Sequence, residues 1–304
     1  VGGTCLNEGC IPTKAFCRNA EVIDTLKEAD AFGISGLSYD FDFRSVSARK
    51  NAVVEQLRGG VEGLLGHKNI TLVRGKAAFK DAHTVTVIPN ETGESQEYTA
   101  DYIIIATGSV SASLPIPGAD LPGILTSREI LDIEEVPQRL CVIGGGVIGL
   151  EFASIFRSFG SEVTVLEYFK DILPRFDTDL SKRLKQSLGK RGIEISTQSQ
   201  VTSITEESGE YTVTFTRKGK EETVVADKVL MAVGRKANVA SLNLADAGVE
   251  FTPRGIVVNE VMQTNVPHIY SVGDINGLMM LAHAATFQGI VALDHIMGVE
   301  NDID

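Results

Sequence analysis

Two cysteines open the sequence within Gly2-Gly3-Thr4-Cys5-Leu6-Asn7-Glu8-Gly9-Cys10-Ile11-Pro12-Thr13-Lys14. A close sulfur pair can exchange with disulfides, hold a metal or pack as two thiols. In an ideal helix, residues five apart have Cα atoms roughly 8.6 Å apart. A disulfide closes only within about 7 Å. The pair therefore bridges only if the start of the helix is distorted, and Gly9 and Pro12 are residue types that permit this. A helix beginning just beyond Cys10 would also favour a thiolate there, through its exposed N–H groups and dipole. Zinc requires about four ligands, and Cys17, Cys141 and the five scattered histidines show no ligand spacing. No metal site is expected. A structural disulfide suits poorly a start with no secretory signal, and two packed thiols remain the plain alternative for the spacing alone. The glycines, proline and lysine around the pair make the string more specific than its spacing.

A second chemistry-bearing stretch is Gly144-Gly145-Gly146-Val147-Ile148-Gly149-Leu150, a G-x-G-x-x-G pattern between an apolar strand and a helix. Gly144 allows the tight turn, Gly146 lets the backbone approach a pyrophosphate, and Gly149 allows close packing of helix on strand. Glu167 ends the next strand, 18 residues after Gly149, where a carboxylate can bind the adenosine ribose hydroxyls and repel a 2′-phosphate. That favours NAD over NADP, although Arg175 lies near; the plain alternative for Glu167 is an exposed strand-end charge. Glu151 falls in the first turn of the helix, where a carboxylate complements the dipole. Three further places could face a phosphate or a ring. They are the turn Thr107-Gly108-Ser109 after an apolar strand, Gly273-Asp274 after another, and Met280-Leu281-Ala282-His283 at the opening of a helix. Asp274 has the ordinary alternative of a capping or turn residue.

Regular elements must position these residues. Apolar spacing predicts helices over 13–29 and 43–65. Strands are expected at 70–74, 84–88 and 102–106, the last buried on both faces, with a hairpin loop at 89–93. A connector with Pro115, Pro117 and Pro122 reads as a crossing between domains. A βαβ unit follows: strand 140–143, glycine loop, helix 147–160 and strand 163–166. Then come a helix over 178–191 and strands near 199–205, 211–217 and 223–230. Val229-Leu230-Met231-Ala232-Val233-Gly234 repeats the design of the earlier apolar strand, so the chain holds two similar halves, and a last helix covers 281–297. The 304 residues suit about two domains. A net charge of −12 argues against a nucleic-acid surface. No apolar run reaches the roughly 18 residues of a membrane helix. The start at Val1 has neither an initiator methionine nor a signal peptide, and is expected to be a truncation.

The thirteen-residue cysteine string resembles the active-site segment of the class I pyridine nucleotide–disulfide oxidoreductases, and Leu6, Asn7, Ile11 and Ala15 look most like the dihydrolipoamide dehydrogenase branch. The resemblance implies an α/β fold of two Rossmann-like, three-layer nucleotide-binding domains, with FAD, NAD and a homodimer. It implies residues 1–113 as the FAD-binding domain, 114–237 as the NAD-binding domain, and 238–304 as a return segment completing the FAD and central region. By the same resemblance, Cys5 is the interchange thiol and Cys10 the flavin-facing one, and Lys14 pairs with Glu151 beside the flavin. Gly144 to Leu150, Glu151, Glu167, Val201 and Gly234 then line the NAD site. Thr107, Gly108, Ser109, Asp274, Met280, Leu281, Ala282, His283 and, by backbone, Ala77 line the FAD site. Cys17 and Cys141 match no such position and are read as core.

Two departures stand out: Gln288 where relatives usually carry glutamate, and Ala237 where they usually carry proline. The resemblance also implies a first FAD-binding βαβ unit before Val1, and a dimerisation domain with a His–Glu base after Asp304. The chain is therefore expected to be the middle two-thirds of a relative, inactive alone. The implied activity is oxidation of dihydrolipoamide on a lipoyl-bearing protein of a 2-oxo-acid dehydrogenase or glycine-cleavage complex, in the cytoplasm. Its rivals are an NADPH-dependent disulfide or mercuric reductase of the same family and a non-catalytic nucleotide-binding module.

Overall fold

The structure is a computed structural model that describes residues 1–299; the end of the expected return segment, 300–304, lies outside them. The chain divides into two compact units, residues 1–61 with 111–234, and residues 62–110 with those from 235 onward.

The first unit begins with α1 (Gly3–Glu8) and α2 (Cys10–Lys27), separated by Gly9. The helix expected from 13 starts three residues earlier. Pro12 sits in its first turn, where a missing N–H leaves no helical bond unmade. Thr13 donates to the Gly9 carbonyl from its backbone N, at 3.1 Å, and from Oγ1, at 2.6 Å. Helix α3 (Phe43–Leu65) follows, its start held by the Asp42 carboxylate, which accepts from the backbone N of Arg44 at 3.0 Å.

A five-stranded parallel sheet occupies the middle of the unit, in the order 124–125, 228–231, 139–143, 162–167, 193–197. Val142 faces Leu230 on one side and Val165 on the other, and all three are fully buried. Strands covered on both faces must be apolar throughout, which explains their unbroken hydrophobic runs. Helices α4 (Val147–Phe159) and α5 (Thr178–Lys190) connect successive strands. Phe156 and Phe159 of α4 meet Phe16 of α2 and Phe43 of α3 in one aromatic cluster, with the Phe16 and Phe159 centroids 6.0 Å apart. The contact fixes the cysteine-bearing helix against the helix of the glycine motif.

Beside the sheet runs an antiparallel ladder of 199–207, 210–217 and 220–226. The strand expected over 223–230 is two strands in two sheets. The chain turns at Asp227, whose N donates to the Arg139 carbonyl at 2.9 Å and whose carboxylate accepts from the Arg139 backbone N at 2.8 Å. Residues 228–231 then enter the parallel sheet. The charged pair Asp227-Lys228 interrupts the apolar run at this point, and the Arg139–Asp227 ion pair holds the turn.

The second unit contains an antiparallel sheet of 75–79, 84–89 and 96–99. No strand forms at 70–74. The partner strand ends at Pro89 opposite Gly75, so Ile70 and Leu72 stay exposed. Strand 103–105 pairs in parallel with 269–271. Its expected burial on both faces holds for Ile105 but not for Ile104, which is 38% exposed. The core of this unit gathers Phe79, Ile105, Leu242, Leu244, Ile256, Ile269 and Ile275. Helix α6 (Ala282–Met297) completes it.

Candidate active site

Cys5 lies in α1 and Cys10 is the first residue of α2. The interruption between them is the distortion that the five-residue spacing demanded. A Cβ on Gly9 would lie 3.0 Å from the Thr4 carbonyl oxygen and 3.3 Å from Cys5 Cα, so glycine lets the two turns fold onto each other. Asn7 braces the first turn by donating from Nδ2 to the carbonyls of Val1, at 2.7 Å, and Gly3, at 2.9 Å. Cys5 and Cys10 are both free thiols, the first half-buried and the second exposed. Burial, followed by the hydrogen bond and charge of Cys10, pushes the Cys5 thiol up to about 11.

Cys10, Lys14 and Cys17 fall at i, i+4 and i+7, on one side of α2. Lys14 Nζ is 2.5 Å from Glu151 Oε1. Glu151 is the fifth residue of α4, which starts at Val147, and so lies just past the first turn in which the sequence reading placed it. Desolvation works against the Lys14 charge, but the hydrogen bond and charge of Glu151 outweigh it and raise the lysine above its ordinary value. Cys17 Sγ donates to the same Glu151 oxygen at 3.5 Å. Burial, then the charge of Glu151, pushes the Cys17 thiol up to about 11. Cys141 is wholly buried in the sheet, which alone pushes it up to about 12, and it is a core residue as expected.

The glycine loop of α4 has three distinct environments. A Cβ on Gly144, at φ +113°, would lie 2.4 Å from the Ala232 carbonyl oxygen, and one on Gly149 would lie 2.1 Å from the Gly144 carbonyl oxygen. Both positions demand glycine. Gly146, which precedes the helix, has nothing within 4 Å of the point a Cβ would occupy and receives no side-chain cap. The start of α4 therefore has room beside Gly146 and no side chain of its own on its first N–H groups. Glu167, 5% exposed, accepts from the backbone N of Gly145 at 2.5 Å and of Phe169 at 2.7 Å, one on each oxygen. It is not the exposed strand-end charge of the alternative reading. Val201 sits where the antiparallel ladder shifts register, and Gly234, at φ +117°, follows the last strand of the parallel sheet.

In the second unit, Gly108 turns at φ +70°. Ser109 Oγ donates to Asp274 Oδ2 at 2.5 Å, while Arg235 donates to Ser109 from Nε to Oγ, at 2.7 Å, and from Nη2 to the carbonyl, at 2.8 Å. Asp274 lies in the turn 273–276, and its Oδ1 takes no hydrogen bond among the described residues. Met280 is half-buried; Leu281, Ala282 and His283 are exposed at the start of α6, which has no side-chain cap. Ala77 lies in the strand opposite Val87.

A family profile described as pyridine nucleotide-disulphide oxidoreductase matches residues 1–289. The chain belongs to this family. Its relatives include dihydrolipoyl dehydrogenases of Acholeplasma laidlawii, 41% identical over 98% of this chain and 87% of that one, and of Bacillus subtilis, 40% identical over 98% of this chain and 65% of that one. Among solved structures, the HOCl-induced flavoprotein disulfide reductase RclA from Escherichia coli superposes with a TM-score of 0.85 at 31% identity, covering 99% of this chain and 64% of that one. The chain thus spans about two-thirds of the length of several relatives. This is an oxidoreductase family whose cofactors are FAD and NAD(H).

Within this pyridine nucleotide–disulphide oxidoreductase, the residues present fit both cofactors. The uncapped N-terminus of α4 beside an open Gly146 suits a pyrophosphate, and each Glu167 oxygen keeps a lone pair for a ribose hydroxyl. Asp274 Oδ1 and the uncapped start of α6 suit a polyhydroxy chain and a ring edge. Among the described residues, no group of three or more His, Cys, Asp or Glu is arranged for a metal. Sequence reasoning missed Arg235, whose only signal was its place directly after Gly234. It also read Cys17 as core alone. Of the two departures, Gln288 is buried and its Oε1 accepts from the Gly273 N at 2.7 Å, as a glutamate would, and Ala237 packs in the core.

Proposed function

We propose that this chain is the dithiol- and nucleotide-handling part of a flavoenzyme that oxidises protein-bound dihydrolipoamide with NAD as acceptor. The observation that carries the reading is the Cys5–Cys10 pair, folded together at Gly9 and one helical turn from the Lys14–Glu151 pair. In the oxidised enzyme a dihydrolipoyl thiolate attacks Cys5, the Cys5–Cys10 bond breaks, and Cys10 leaves as a thiolate. The second lipoyl thiol, losing its proton, attacks the lipoyl sulfur of the mixed disulfide. Cys5 is released, and lipoyl disulfide departs. Bound FAD supplies the two-electron step between the reduced cysteines and NAD.

The chain's own residues bind and orient. Gly144 to Leu150 and Glu167 hold NAD, with Val201 and Gly234 shaping its site. Thr107, Gly108, Ser109, Asp274, Met280 to His283 and the Ala77 backbone hold FAD. Lys14, kept charged by Glu151, sets the electrostatics around the flavin. Domains of 1–113 and 114–237, with a return segment from 238, belong to this reading, as do a homodimer, a lipoyl-bearing partner of a 2-oxo-acid dehydrogenase or glycine-cleavage complex and a cytoplasmic location. No described helix is long and apolar enough to cross a membrane.

The similarity to a flavoprotein disulfide reductase favours one second reading, reduction of a disulfide substrate at the expense of a reduced nicotinamide. Glu167 supports NAD over NADP in either direction. Titrating the flavin-loaded full-length protein with dihydrolipoamide decides between them. Growth of a long-wavelength thiolate–flavin band followed by reduction of NAD is expected. A flavin left unreduced by the dithiol, or strong selectivity for NADPH, overturns the lipoamide reading.

A further inference from the structure

Cys17 has no part in the exchange just described, yet it touches the pair beside the dithiol. It cannot serve as a third redox sulfur for Cys10. Seven residues along a helix put the two roughly 10.5 Å apart along the axis, beyond the about 7 Å a disulfide spans. Nor is it only a core residue, although its half-buried side chain does pack against the aromatic cluster. Its sulfur lies 3.5 Å from Glu151 Oε1, the oxygen that Lys14 Nζ holds at 2.5 Å.

We propose that Cys17 is a positioning residue, whose thiol donates a hydrogen bond to Glu151 and thereby fixes the carboxylate that aims Lys14. The need for it follows from exposure. The Lys14 side chain is 62% exposed and that of Glu151 30%, and ion pairs in such settings hold their geometry weakly. A second donor, reaching the same oxygen from the half-buried side of α2, restricts the carboxylate to one rotamer. Burial and the Glu151 charge keep the thiol protonated at neutral pH, and only the protonated sulfur can donate. The shared acceptor makes the three side chains one unit: moving Cys17 moves Glu151, and Glu151 moves Lys14.

This inference rests on the proposed function for its consequence, but its geometry can be read without cofactor. In the 304-residue chain, the S–H stretching band assigned to Cys17 should shift toward the frequency of a free thiol in Glu151→Leu, which removes the acceptor at similar length. An unmoved band overturns the proposal. In the flavin-loaded full-length protein, Cys17→Val removes the donor at similar volume. It should lower kcat for dihydrolipoamide oxidation about fivefold, the loss expected for one hydrogen bond, with KM unchanged and the flavin potential shifted. Cys17→Ser keeps a donor and should restore both. A Cys17→Val enzyme equal to wild type in rate and potential overturns the proposal, as does equal impairment of the valine and serine variants, which marks a packing role. A wild-type flavin that dihydrolipoamide does not reduce overturns the functional reading, and the consequence for Lys14 with it, whatever the S–H band shows.

Discussion

Helices α2 and α4 of the first unit both begin directly after a glycine, with no side chain capping them, and they use that freedom in opposite ways. Before α2, Gly9 is crowded, because a methyl group there would press on Thr4 and Cys5. The close approach folds the turn of Cys5 onto the start of the Cys10 helix. Before α4, Gly146 is bare, with no atom within 4 Å of the same position. The turn around it is held instead by Gly144 and Gly149, which contact backbone on the protein side. One glycine closes a site on the chain itself, and the other leaves a site open to a visitor. The same residue type at the same helix position therefore says little until the surroundings of its missing Cβ are known.

Substitutions can break this contrast. The largest effect is expected from Cys5→Ser, which removes the thiol that the proposed exchange attacks. Dithiol oxidation by the full-length enzyme should fall at least about a thousandfold, with flavin content unchanged; retained turnover would refute the exchange role. Gly149→Ala should cost about 3 kcal/mol in urea unfolding, since its methyl meets backbone that cannot yield. A stability equal to wild type would show that the loop relaxes freely. Gly9→Ala should displace Cys5 from Cys10 and slow dithiol oxidation about tenfold or more, as small misplacements of reacting atoms do. Its NAD affinity, measured by titration, should stay unchanged.

Gly146→Ala tests the open site and should behave in the reverse manner. Its backbone, at φ −79° and ψ 179°, suits alanine, so the melting temperature should hold. NAD should bind about tenfold more weakly, the methyl now standing where the pyrophosphate approaches. The smallest effect concerns protons. In the reduced protein, alkylation of Cys5 should be slow at pH 8 and rise with pH toward about 11, because only the thiolate reacts. Cys10→Ser removes the charge contribution of its neighbour and should shift that profile downward, while burial, the largest cause, keeps it above the ordinary value. A profile centred at the ordinary cysteine value in the unaltered protein would mean that Cys5 is neither buried nor close to Cys10 as described.

Local features were legible in the sequence, and distant pairings were not. The glycine loop, α3, α4 and the parallel strand at 139–143 follow from short patterns whose causes lie within a few residues. The break between Cys5 and Cys10 was foreseeable too, because helix geometry forbids the pair without one. The strand expected over 223–230 failed because Asp227 pairs with Arg139, 88 residues away. The strand expected at 70–74 failed because its partner stops at Pro89. Ile104 reads like Leu230, yet one is partly exposed and the other fully buried, since burial depends on which strands lie alongside. Arg235 and Cys17 escaped for the same reason. Their partners Ser109 and Glu151 stand 126 and 134 residues away, and composition carries no trace of such meetings.

The carboxylate of Glu167 is already spoken for by the loop it adjoins, through the Gly145 and Phe169 amides. In the reading proposed above, coenzyme choice and loop shape therefore depend on the same carboxylate. Redesigning it to accept a phosphorylated dinucleotide by exchanging that one acid would loosen the very turn meant to receive the new ligand. A successful redesign would have to supply replacement acceptors for those two amides before adding any positive charge.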